Sequence, residues 1–241
     1  MKFTKKWSNA VFALALLSTP LMGQAGGGPG GGSGSGGGSG SSGGGGNNSM
    51  IAYIQTLPLE SIEPQEYEDL VFSRQEEKLA RDVYIMLYQA WGIQTFQNIA
   101  QAEQSHMEWT LLLLDRYGIV DPLLSDTVGV YPDPAITVLF RRLVTYGLQS
   151  PLNALKVGAI IEDLDLFDLD LALQRSDNRD LDTLWQNLAR GSRNHMRAFY
   201  GALETQGVLF AGIKLPTWYI LQIVNSPVEN QVVDENGVAL P

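Results

Sequence analysis

The chain has only two histidines, and their neighbours suggest chemistry. His106 follows Glu103 at i+3, a spacing that points both side chains to one side of a helix. His195, Glu77 and Glu162 fall near the middle of three other helical patterns, each on the apolar stripe. Burying a carboxylate or an imidazole unpaired costs several kcal/mol, so core stripes ordinarily avoid them. A cation shared among Glu77, Glu103, His106, Glu162 and His195 offsets that cost, and this donor set suits iron, manganese or zinc. A lone Glu-x-x-His is a weak signal, and either histidine alone reads as well as a core residue bonded to a nearby carbonyl or hydroxyl. The joint pattern points to metal: both histidines lie on inward faces of the second and fourth long helices, and each of the other two helices offers a glutamate.

Neighbouring groups are sorted by the same periodicity. Glu76 belongs to the row of Asp69 and Val83 at the stripe's edge, which makes Glu77 the better ligand. Arg81 and Asp82 flank that face, either orienting the ligands or forming an ion pair on the helix surface. Tyr84, one heptad from Glu77, lies near the centre or packs as an ordinary core aromatic.

These residues require four long helices to position them. Leu70, Glu77, Tyr84 and Trp91 recur every seven residues, with Ser73, Ala80 and Leu87 between them, predicting helix A over about 65–90 with Gly92 as its stop. Helix B, about 94–117, aligns Ile99, Glu103, His106, Thr110, Leu113 and Tyr117. A stretch of about 33 residues rich in Asp, Pro and Gly follows, with a short helix from Ala135 to Tyr146. It is too long for a turn and suits a crossover from one end of a bundle to the other. Helix C, about 151–174, opens on Ser150-Pro151 and turns Leu155, Gly158, Glu162, Asp165 and Leu169 inward. Helix D, about 178–206, does the same with Leu181, Leu184, Leu188, Ser192, His195 and Ala202. The prediction is an all-α, antiparallel four-helix bundle with one long crossover. An apolar flap near 215–224 folds back on it, and an acidic tail, 226–241, is expected to fray.

The N-terminus is expected to direct export. Lys2, Lys5 and Lys6, the apolar Ala10–Leu17 and the small-residue site Gly23-Gln24-Ala25 make residues 1–25 a cleaved secretory signal, too short to span a bilayer. Residues 26–49 are almost entirely Gly, Ser and Asn and read as a flexible tether, which places the folded domain at 50–225. The destination is periplasmic or extracellular, and with no cysteine the domain has no disulfide framework there. The formal charge is −10, and loss of the signal lysines makes it more negative. Such an acidic domain argues against nucleic acid and anionic membranes as partners and is compatible with cations.

The segment Glu77-Lys-Leu-Ala-Arg-Asp-Val-Tyr84 resembles the first-helix glutamate motif of rubrerythrin-type proteins. Taken with Glu103-Gln-Ser-His-Met107, Val157-Gly-Ala-Ile-Ile-Glu-Asp-Leu-Asp165 and Gly191-Ser-Arg-Asn-His-Met-Arg-Ala-Phe199, it looks closer still to the bacterial ferritin-like family called domain of unknown function 2202, over about residues 60–225. The resemblance implies a ferritin-like bundle with a metal–carboxylate site, iron foremost, held by Glu77, Glu103, His106, Glu162 and His195. It implies almost nothing about activity. One departure matters: a second Glu-x-x-His would need Glu at 192, where this chain has Ser192. Asp165 could substitute, Ser192 could hold a water, or the site could be mononuclear. Three functions stay open: redox chemistry with oxygen or peroxide, metal sequestration or a structural metal, and an exported interaction module with a vestigial site. A homodimer is also left open.

Overall fold

The computed structural model describes residues 43–241, with side chains from Ser49 onward; the expected signal and most of the tether lie outside the described residues. Seven helices occur among the described residues: α1 (Gly43–Thr56), α2 (Pro64–Trp91), α3 (Gln94–Arg116), α4 (Pro134–Gly147), α5 (Pro151–Arg175), α6 (Arg179–Glu204) and α7 (Thr217–Val224). The only pairing of extended backbone among them is an isolated bridge between Val233 and Ala239. None of the described helices is long and apolar enough to cross a membrane.

The ends of the long helices follow local chemistry. Pro64 starts α2 with its φ preset, and the Glu66 carboxylate reaches back to accept the Glu63 N–H at 2.8 Å. Gly92 closes α2 at φ 61°, a left-handed value glycine adopts without strain, and its N–H donates to the Tyr88 carbonyl at 2.8 Å. Only Gly92 and Ile93 separate α2 from α3, so the two helices run antiparallel as neighbours. Ser150 caps α5 by accepting the Asn153 N–H at 3.1 Å, ahead of Pro151. Helices α5 and α6 form the second hairpin. The hairpins meet through α2 against α5 and α3 against α6, enclosing one apolar core.

The crossover does more than connect. Helix α4 lies against both α2 and α5, and the loop before it is fastened to α2 by buried charges. Lys78, fully buried, donates to Asp82 at 2.5 Å and to the Thr127 carbonyl at 2.8 Å. Asp82 also accepts from the Gly129 N–H and the Tyr131 hydroxyl, each at 2.9 Å. Arg81 bonds Asp82, Asp126 and Gln104. Arg81 and Asp82 are thus no surface ion pair; with Lys78 they anchor the crossover, and every residue from Asp69 to Tyr84 is buried.

Two boundaries differ from the sequence expectation. Helix α1 begins at Gly43, inside the stretch read as tether, because Met50 and Ile54, one turn apart and fully buried, dock it against the ends of α3 and α6. The tail beyond 226 is not frayed. Asn187 exchanges two hydrogen bonds with the Val233 backbone at 2.7 and 3.0 Å, Val232 and Val233 are buried, and Glu229 pairs with Arg193 and Arg197 at 2.5 and 2.8 Å. Its acidic composition concealed these partners because they lie on the outer face of α6.

Candidate metal centre

The four long helices bring all five expected residues to one place. Glu77 comes from α2, Glu103 and His106 from α3, Glu162 from α5 and His195 from α6. None is more than 7 % exposed. Their arrangement is paired around Glu103. One of its oxygens lies 2.8 Å from His106 Nδ1, and the other lies 3.0 Å from His195 Nδ1. Glu77 stands 3.2 Å from the first imidazole and Glu162 stands 3.4 Å from the second. Two trios result, Glu77–Glu103–His106 and Glu103–Glu162–His195, each with ligand atoms within 4.8 Å of one another, and Glu103 belongs to both.

Both imidazoles present Nδ1, and a close approach of helices holds one of them. A Cβ on Gly191 of α6 would come within 2.5 Å of His106 Cε1 and Nε2, so the absence of a side chain there lets that edge of the ring abut α6. The His106 and Trp109 ring centres are 5.2 Å apart, and the two histidine rings are 5.6 Å apart. Tyr84 takes both roles open to it. Its hydroxyl donates to Glu162, while its ring packs on Phe96 and Phe199 at 5.9 and 5.3 Å between centres. Glu76 is not part of either trio.

The electrostatics are those of donors crowded into a dry space. Burial pushes the Glu77 carboxyl up to about 7, against the pull of the neighbouring His106. Burial also raises Glu162, with His195 opposing. Burial works against a cationic His106, but Glu77 and Glu103 outweigh it and lift the imidazole to about 10; Glu103 and Glu162 likewise raise His195 well above the ordinary imidazole range. Burial would raise Glu103 as well, yet the two flanking imidazoles hold it well below the usual carboxylate range.

The donor set fits a bound cation. Glu77 Oε1 and His195 Nδ1 are buried with no aligned hydrogen-bond partner among the described residues, although His195 Nδ1 is only 3.0 Å from a carboxylate oxygen. Closeness without an N–H···O alignment is what ligands converging on a shared point show, and buried polar atoms are seldom left orphaned otherwise. Oxygen and imidazole donors match borderline and harder divalent metals.

Fold and site together define an all-helical protein with a buried histidine–carboxylate cluster. Residues 66–227 match the model of an uncharacterized protein domain, DUF2202, and the chain belongs to that family. It is 48 % identical over 158 residues to the uncharacterized protein MJ0754 of Methanocaldococcus jannaschii, spanning 66 % of this chain and 85 % of that one. The crystal structure of hypothetical protein MJ0754 superposes with a TM-score of 0.71 at 43 % identity, over 72 % of this chain and 99 % of that one.

Proposed function

We propose that the chain is a ferritin-like four-helix protein whose core holds metal at the cluster built around Glu103, iron being the best suited and manganese or zinc next. The observation that carries this reading is Glu103 itself. A carboxylate whose two oxygens each face a different imidazole, with a further glutamate behind each, is placed to bridge two ions. Glu77 and His106 would hold one, Glu162 and His195 the other, and Tyr84 would keep Glu162 in orientation through its hydroxyl. Bound iron or manganese would supply redox chemistry toward oxygen or peroxide. The helices contribute a site from which bulk water is largely excluded, so charges there interact strongly.

The near-complete burial of all five residues favours a second reading, in which metal is stored or serves as a structural core without turnover. The signal-like N-terminus supports export and a periplasmic or extracellular setting for either reading. Metal per chain after purification, followed by absorbance on adding peroxide to the iron-loaded protein, tests the two. Bound iron with a coloured transient supports redox chemistry. Tightly held metal that gives no transient supports storage. No uptake of iron, manganese or zinc, with an unchanged melting temperature on chelation, would refute both, since a ligand of the native state must add to its stability.

A further inference from the structure

The fourth long helix lacks the carboxylate that would make the site symmetric. Ser192 stands three residues before His195, where Glu103 stands three residues before His106. The structure shows what Ser192 does there. Its hydroxyl donates to Asp165 Oδ2, with the Leu188 carbonyl at 3.0 Å as its other acceptor. Asp165 lies on α5, one turn beyond Glu162 on the same inward face, and is 6 % exposed. The charges of Glu77, Glu162 and Glu103 all act on its carboxyl, and its bond to Ser192, one turn from His195, sets the side chain beside the cluster, outside both trios.

We propose that Asp165, steered by Ser192, supplies the missing carboxylate from the neighbouring helix, so that two divalent ions lie between two shared carboxylates, Glu103 and Asp165. This inference rests on the metal-binding reading above and deepens it. Three independent features support it. Asp165 adjoins a cluster in which Glu77 Oε1 and His195 Nδ1 are buried without aligned partners among the described residues, so donors already converge there. Charge balance favours a fourth carboxylate: Glu77, Glu103, Glu162 and Asp165 together neutralise two divalent cations beside neutral imidazoles, whereas three glutamates alone leave one positive charge to be met by another anion. Finally, a serine of α6 bonded to an aspartate of α5 puts carboxylate oxygens next to position 192, so acceptor oxygens are kept there while their helix of origin changes.

The test is anaerobic titration of the metal-free protein with cobalt(II), reading ions per chain by elemental analysis and ligand environment by visible absorption. The wild-type chain takes up two ions. D165N, nearly the same size but without the charge, binds the second at least about tenfold more weakly, the scale on which groups around a metal act, and its visible bands change. D165A/S192E, which restores Glu-x-x-His on the fourth helix, recovers the second ion. Should D165N fail to fold, S192A carries the question: losing the hydroxyl that holds Asp165 weakens the second ion several-fold, and unchanged affinity overturns the proposal. Two ions bound by D165N with wild-type affinity and spectrum would also overturn it while leaving the metal-binding reading intact. A single ion per wild-type chain would overturn the shared-carboxylate arrangement alone. No cobalt in the wild-type chain would defeat the reading on which it rests.

Discussion

Substituting Gly191 by Ala separates metal binding from folding at one atom. The added methyl would lie 2.5 Å from His106 Cε1 and Nε2, roughly 1 Å inside the optimal separation of about 3.5 Å. The α6 backbone is fixed by its contacts with α3 and α5, so the imidazole must retreat. Ligand distances in metal sites tolerate shifts of about 0.2 Å, so a withdrawal on the order of 1 Å takes Nδ1 out of range. The metal-free protein has less at stake. Alanine in a helix interior is favoured over glycine by about 1 kcal/mol, and overpacking costs about 1–3 kcal/mol, leaving a net loss of roughly 0–2 kcal/mol. For a domain of this size that is a fall of at most about 8 °C in Tm. Calorimetric titration with iron(II) or cobalt(II) should then show affinity reduced at least about tenfold for the ion facing His106. Gly201→Ala is the control: no atom lies within 4 Å of its Cβ position, so it should raise Tm slightly and leave metal uptake unchanged. A folded Gly191→Ala chain with wild-type affinity would refute the placement of His106 as a ligand.

Other consequences are open to simpler measurement. Asp82→Ala leaves the fully buried Lys78 ammonium without its carboxylate and should cost about 3–5 kcal/mol in denaturant melts, with faster amide exchange at Thr127 to Tyr131; a loss under 1 kcal/mol would show the anchor to be dispensable. Asp182 behaves oppositely, because burial raises its carboxyl to about 6 and Oδ1 has no partner among the described residues. A carboxyl whose folded value lies above its unfolded one destabilises the native state when ionised, so the penalty is fully present above pH 6 and fades as pH falls toward about 4. Asp182→Asn should therefore raise Tm at pH 8, with the gain gone near pH 4; a gain independent of pH would point to another cause.

The site was legible because its signals are local and periodic. Glu77, Glu103, His106, Glu162 and His195 could be aligned from helical spacing alone, and the helix ends at Pro64, Gly92 and Ser150 come from chemistry within a few residues of each terminus. The setting of Asp165 was only half visible: its position one turn from Glu162 was plain, but the bond from Ser192 joins two helices and has no counterpart in spacing. Lys78 was missed. Its i+4 relation to Asp82 was there to be read, yet that spacing is ordinary on exposed helix faces and only burial makes it unusual.

What the sequence by itself determined is therefore the set of helices and the stripe each turns inward, since both depend on side chains a turn or two apart. Tertiary structure alone decided that the charged outer face of α2 is buried beneath the crossover, that the acidic tail docks on α6, and that Glu103 lies between two imidazoles rather than beside one. Those outcomes depend on which distant segments meet. Whether a charged side chain faces solvent or a partner is set by the segment that arrives over it, and periodicity along one helix contains no record of that arrival.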